Sequence, residues 1–348
     1  ISAINVAGLS VLINFTINTL LFVAIYLFYD NIAQILNIHS KYIGVLYLVP
    51  MGAFLISANT TFNYWLIRKK AFKASSMNKV FHRFSESTLW LLFSWLKLLK
   101  ALVYGDMLGR TVLFIFSVWK SFLNGFDLNR INFKSIRKVL VLYKDYPLYN
   151  TIPSLLNAAS LMLPVIFINK FYTYSITSNI GLTIQVLSLP MALISVAVSQ
   201  VLFQKVTELK NNGDKLGGFI VSLLKKMLIL SIIGIVVVQL FSKPLFVFIY
   251  GKDYTMAGEF AIIIVFASAL KFIVSPLSMV FPALDRIKVS SMWQIIYFIL
   301  ILSLLFFKDL DIKDFLIAYV IIDIFAYSLH ALLIYFVVRK QDSLHQSS

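Results

Sequence analysis

The 348-residue chain has no cysteine, which excludes a disulfide framework, a thiolate zinc site and a cysteine nucleophile. Acidic residues are scarce, 15 Asp and Glu against 31 Lys and Arg. Most of them lie between apolar runs, so the two carboxylates that glycoside hydrolysis places across a cleft are not provided. The sequence contains no GxxxxGK phosphate loop, no HExxH, no GxSxG and no group of acids at metal-ligand spacing. Catalytic residues, a metal and a cofactor are therefore not expected, and energy from nucleotide hydrolysis would need another subunit.

What fills the chain instead is apolar. Sixty per cent of the residues are hydrophobic, with 31 Phe, 17 Tyr and only 13% charged, and the mean hydropathy is +0.87. This composition is that of an all-α, polytopic helical membrane protein. The net charge of +16 fits either a nucleic-acid binder, with cations gathered on one face or tail, or a membrane protein with cations biased to one side. Their positions decide between the two.

Ten apolar runs read as spans, at about 9–28, 43–65, 86–104, 107–123, two within 150–204, then 226–241, 259–281, 290–306 and 315–338. Each is near the length that crosses a hydrocarbon core. A tight turn at Gly105-Asp106 is expected between the third and fourth. Residues 124–149 have room for a surface helix with Ile131, Ile136, Val139 and Leu140 toward the membrane and Arg130, Lys134, Arg137 and Lys138 in water. Links on one side of this arrangement carry 20 Lys or Arg and those on the other side 6. The rule that cytoplasmic loops are positive places the first set, and both chain ends, in the cytoplasm. It also accounts for most of the net charge without nucleic acid.

The stretch 150–204 stands apart. Its two apolar segments, joined at Lys170 to Ser178, carry Pro153, Pro164 and Pro190 among Asn157, Asn179, Gln185, Ser188, Ser195, Ser199 and Gln200. Not all of those polar groups can face lipid, so some are expected against neighbouring helices or a wet cavity. Kinks are expected at these prolines and at Pro276. The pair is the candidate pivot of a two-part protein.

The runs on either side of that pair look like two copies of one unit. YDNIAQILNIHSKY after the first span matches FSKPLFVFIYGKDY after the seventh in order of polar and apolar residues. Ser75-Ser76-Met77 matches Ser290-Ser291-Met292 in the same order. The later copy has six spans and the earlier four, so two more spans are expected ahead of Ile1.

LSLPMALISVAVSQVLFQKVTE (187–208), FSKPLFVFIYGKDYTMAGEF (241–260) and SPLSMVFPALDRIKVSS (275–291) carry a resemblance. Taken in that order along the chain, they are similar to the polysaccharide flippases of the multidrug/oligosaccharidyl-lipid/polysaccharide exporter superfamily, which serve O-antigen and capsule synthesis. The resemblance implies a two-lobed exporter fold around a central cavity, with an incomplete first lobe at 1–127, a cytoplasmic linker at 128–149, a six-helix lobe at 150–340 and a cytoplasmic tail at 341–348. It implies translocation of a polyprenyl-pyrophosphate-linked glycan across the cytoplasmic (inner) membrane. The expected partners are that glycan, membrane lipids and a glycan polymerase, with no nucleic acid.

Charged and polar residues inside the spans are the candidate site. Lys271 lies midway through its span, where a lysine is costly unless it faces a cavity or a partner. It can hold a pyrophosphate or an acidic sugar, or else pair structurally with Asp323. Lys97 and Lys100, three apart on one expected helix face, are further substrate contacts, with snorkelling as the other reading of Lys100. Asn157 and Gln185 suit sugar hydroxyls or interhelical hydrogen bonds equally. Asp323 and His330, seven apart on one face, can couple an ion or relay a proton, or simply join helices. Arg110 follows Asp106 by four residues and reads as a local ion pair. Two other functions compete with glycan translocation: cation-coupled export of small molecules, which relies on buried acids, and a non-transporting remnant or scaffold of glycan assembly.

Overall fold

The computed structural model describes residues 3–38, 40–98, 100–142 and 151–344. Of the expected linker and tail, residues 143–149 and 345–348 lie outside the described residues. Within them every regular element is helical, and the chain divides into two units, residues 1–145 and 146–348. Nine helical stretches among the described residues are long and apolar enough to cross a membrane. The protein is thus an all-α, polytopic membrane protein. Large apolar side chains such as Phe15, Leu193 and Phe248 are turned outward, as lipid-facing surfaces require.

The first unit runs α1 (Ala3–Leu27), α2 (Tyr29–Ile35), a 3-10 stretch (Ser40–Tyr47), α3 (Leu48–Arg68), α4 (Phe72–Trp95), α5 (Ala101–Leu123) and α6 (Phe133–Leu142). Nine of the ten expected spans meet this measure of length and apolarity; α4, the third, starts within the polar link and falls short of it. Residues 72–86 carry Lys73, Asn78, His82, Arg83 and Glu86, and only the stretch from Ser87 to Trp95 is largely apolar. α4 ends at Trp95 and α5 begins at Ala101, so the helices do not break at Gly105-Asp106. Gly105 is helical, and a Cβ there would collide with the Trp90 side chain and come within 3.3 Å of its backbone nitrogen. The glycine that reads as a turn signal serves close helix packing. The side read as poor in cations therefore gains Lys97 and Lys100.

Phe62, Trp65 and Phe126 form the aromatic centre of this unit, with the Phe126 ring centroid 5.4 Å from that of Phe62 and 5.1 Å from that of Trp65. On α6, Ile136 and Val139 are buried against Leu9 of α1, so they face protein rather than lipid, while Leu140 stays exposed. Thr16 and Thr19 return their hydroxyls to the carbonyls one turn back, which lets polar residues sit in an apolar helix.

The second unit contains α7 (Ile152–Phe171), α8 (Tyr174–Asn212), α9 (Gly217–Tyr250), α10 (Thr255–Leu277), the single turn α11 (Val280–Ala283), α12 (Ile287–Leu302) and α13 (Ile312–Leu344). Pro153 occupies the first turn of α7, where a missing N–H costs nothing, so it marks a start rather than the expected kink. Pro164, Pro190 and Pro276 lie inside their helices. The run 226–241 is the centre of a 34-residue helix, and Ser242 to Tyr250, read from sequence as a link, continue it.

The most buried helix of this unit is α10, which packs on α8, α9 and α13. Small residues on α10 permit the close approach: Ala257, Gly258, Ala261, Ala267 and Ala269 are all buried. Asn179 and Thr183 of α8 meet its first turn. The Asn179 side-chain carbonyl accepts from Ala257 N at 3.0 Å, and the Thr183 hydroxyl donates to Ala257 O at 2.8 Å. The first supplies a partner for one of the donors that a helix start leaves unpaired. Likewise the Asp342 carboxylate on α13 accepts from Leu216 N and Gly217 N at the start of α9.

Outside the spans, Lys210 donates to Asp285 Oδ2 at 2.6 Å. Asp285 sits at φ 58°, a left-handed position that Asp tolerates better than most residues. The hydrogen bond and charge of Lys210 hold the Asp285 carboxyl below its ordinary range. A carboxyl with a depressed folded-state pKa contributes stability above its unfolded value, and that contribution is lost as pH falls through the folded value. Lys210→Met is expected to move the Asp285 titration up toward the usual carboxylate range, which carboxyl-carbon NMR in detergent would record. An unmoved titration would remove Lys210 as the cause.

Candidate functional site

The charged centre of the second unit is built by three helices. Lys271 of α10 places Nζ 2.5 Å from Asp323 Oδ2 of α13 and donates to the Tyr319 hydroxyl at 3.1 Å. The same ammonium lies 5.3 and 5.6 Å from the ring centroids of Tyr319 and Tyr327, within cation–π range. From α12, the Tyr297 hydroxyl donates to Asp323 Oδ1 at 2.9 Å. Asp323 has a fully buried side chain, and that of Lys271 retains 21% exposure. Charge, donor and acceptor are thus closed on one another, which is what allows two ions to remain in an apolar interior.

A ring stack continues from this pair toward α11. His330 lies flat on Trp293, with centroids 3.8 Å apart and an interplanar angle of 15°, and Phe281 stacks on it at 5.6 Å. Trp293 Nε1 donates to Ala326 O. Both ring nitrogens of the buried His330 have no hydrogen-bond partner among the described residues. Asp323 and His330 both turn to α12, where Tyr297 and Trp293 receive them. Between them the rings of Trp293 and Tyr297 stack, and Tyr327 meets both edge-on.

Neither a protein-family model nor a curated protein matches this sequence. Among solved structures, one described as the lipid II flippase MurJ in an inward closed conformation aligns with 97% of this chain and 75% of its own, at 17% identity and a TM-score of 0.74. This chain has that flippase's fold. Agreement in backbone at so low an identity leaves the side chains of any MurJ-like site to be argued from this chain's own residues.

The remaining sequence candidates are dispersed. Lys97 is exposed in the turn after α4 at φ 53°, and Lys100 is the half-buried residue that opens α5. They do not share a helix face, because α4 ends at Trp95, before both, and α5 starts at Ala101. Asn157 is half-buried on α7, and Gln185 is exposed on α8. Arg110 pairs with Asp106 at 2.8 Å on its own helix. Of the seven residues expected in the site, the structure brings together Lys271 and Asp323, with His330 one ring stack away.

Two cavities lie outside this centre. Ser195, Ser199 and Gln200 of α8 and Ser275 of α10 lie on an open, largely apolar cavity of about 420 Å³ that Val196, Phe203, Pro276 and Met279 also line. In the first unit, Asn59 and Asn63 of α3 face Asn78, His82 and Arg83 of α4 and Arg110 of α5 around a second cavity. The signal for the latter was available as amides four apart, one helical turn, at 59 and 63.

Proposed function

We propose that this chain carries a polyprenyl-pyrophosphate-linked oligosaccharide repeat unit across the cytoplasmic membrane, for polysaccharide assembly of the O-antigen or capsule kind. The observation that carries this reading is the fold shared with a lipid II flippase over 97% of the chain. The order of the three proline-marked segments supports the glycan branch of that architecture. The uneven distribution of Lys and Arg over the links supports an orientation with both ends in the cytoplasm.

On this reading Lys271 has two states. Paired with Asp323 it is neutralised, and a pyrophosphate recruits it only by displacing the carboxylate, so substrate and Asp323 compete for one ammonium. Asp323 then couples by gaining or losing its partner rather than by holding a free cation, because Lys271 and Tyr297 already occupy its two oxygens. His330 supports this centre by stacking. Lys97 and Lys100 sit at the turn expected on the outer side, where a departing headgroup would meet them, while Asn157 and Gln185 offer amides to sugar hydroxyls.

The test is made in cells that lack the gene. Restoring it is expected to restore surface polysaccharide, whereas Lys271→Ala restores none at equal membrane level. Full surface polysaccharide from Lys271→Ala would remove the lysine from the mechanism. Unchanged polysaccharide in the deletion strain would remove the glycan reading altogether.

A further inference from the structure

The cavity in the first unit, about 330 Å³ between α3, α4 and α5, contains none of the five residues expected from sequence to touch substrate. Its hydrogen bonds can be followed atom by atom. Asn78 Nδ2 donates to Ser117 Oγ at 2.9 Å, and Ser117 Oγ donates to Asn59 Oδ1 at 2.5 Å. Ser75 Oγ donates to Asn63 Oδ1 at 2.6 Å. These bonds use the oxygens of Asn59 and Asn63 and the nitrogen of Asn78. They leave the amide N–H groups of Asn59 and Asn63 as donors and the Asn78 oxygen as an acceptor.

Asn78 is 97% buried, since only 3% of its surface is exposed, yet its Oδ1 and the neighbouring His82 Nε2 have no partner among the described residues. A buried amide oxygen without a donor costs about 1–3 kcal/mol, which a hydroxyl or N–H group of a ligand would recover. The wall is also held firmly: a Cβ on Gly109 of α5 would lie 3.2 Å from Glu86 Cα, so α4 and α5 touch beside the cavity.

Charge decides what class of ligand fits. Arg83 pairs with Glu86 at 2.9 Å and Arg110 with Asp106 at 2.8 Å, so each guanidinium is neutralised by its own helix while keeping further N–H donors free. The cavity is therefore rich in donors, near neutral, and carries one bare acceptor. A pyrophosphate offers oxygens only and would leave Asn78 Oδ1 unpaired. A sugar offers hydroxyls that donate and accept at once, and an acetamido sugar adds an N–H. The volume, at the lower end for ligand sites, suits a single sugar residue.

We infer that this cavity holds a sugar residue of the lipid-linked substrate, recognised by Asn59, Asn63 and Asn78 with Arg83 and Arg110 as further donors. The inference rests on the flippase reading and specifies which part of the substrate the first unit reads. Its test uses the purified chain in lipid nanodiscs, titrated by native mass spectrometry with undecaprenyl diphosphate and with undecaprenyl-diphospho-N-acetylglucosamine. The sugar-bearing lipid is expected to bind about tenfold more tightly, the worth of one or two neutral hydrogen bonds. Asn78→Leu should bring that ratio to about one while leaving the affinity for the bare diphosphate unchanged. Should Asn78→Leu not fold, Asn63→Leu at the half-buried edge provides the same reading with a severalfold loss. Equal binding of both lipids by the native chain, or a ratio that neither variant lowers, overturns the sugar assignment and leaves the flippase reading standing. Binding of neither lipid overturns both.

Discussion

Asp323→Ala is expected to destabilise the protein by about 3–5 kcal/mol, because it leaves an ammonium buried without its counter-ion. Lys271 would keep only the Tyr319 hydroxyl at 3.1 Å and two aromatic faces. Lys271→Met with Asp323→Leu removes both charges and fills their space, and is expected to recover most of that loss, since desolvation consumes much of what a buried pair gains. Denaturant titration in micelles would measure both variants against the parent. The double variant also separates structure from transport. If the pair only joins α10 to α13, the repacked protein still delivers surface polysaccharide; if substrate and Asp323 compete for Lys271, it is stable and delivers none. A single Asp323→Ala variant as stable as the parent would show that the ammonium reaches water or another acid.

Gly258→Val should be the next most damaging single change. A Cβ at this position would stand 2.7 Å from Lys243 Cα and 3.0 Å from Lys243 N, and backbone cannot rotate away as a side chain can. The Ser242 hydroxyl donates to Gly258 O at 2.9 Å across the same contact. A branched residue would push α9 and α10 apart and break that bond. The expected loss is about 3 kcal/mol, the upper part of the range for overpacking. Gly234 supplies the comparison: nothing lies within 4 Å of a Cβ there, so Gly234→Ala should be neutral or gain up to about 1 kcal/mol from helix entropy. The same denaturation midpoint for Gly258→Val and Gly234→Ala would contradict the helix contact.

Both positions show what a one-dimensional pattern can and cannot carry. Lys271 stood out because a charge amid apolar residues is costly wherever the helix points, and Asp323 stood out for the same reason. Their pairing followed only as one of two readings, since 52 positions separate them (271 to 323) and no periodicity links one helix to another. Gly258 carried no signal. It fell at the edge of an expected link, and nothing local distinguishes a glycine that loosens a turn from one that admits a neighbouring backbone. Gly105 was misread in the same way, and with it the α4–α5 turn. Lys97 and Lys100 lost their shared face because the helix on which three-residue spacing would align them ends at Trp95.

Composition and hydropathy by themselves determined that this is a helical membrane protein, where most of its spans lie and which links carry cations, because transfer from water to hydrocarbon depends on each segment's own residues. Tertiary structure alone decided that α4 is a half-polar helix lining a cavity with α3 and α5, that α10 is the buried helix of its unit, and that Lys271 is met by Asp323, Tyr319 and Tyr327. Those outcomes depend on which side chains from distant segments arrive at one place, and burial of polar groups is tolerated only where such partners meet.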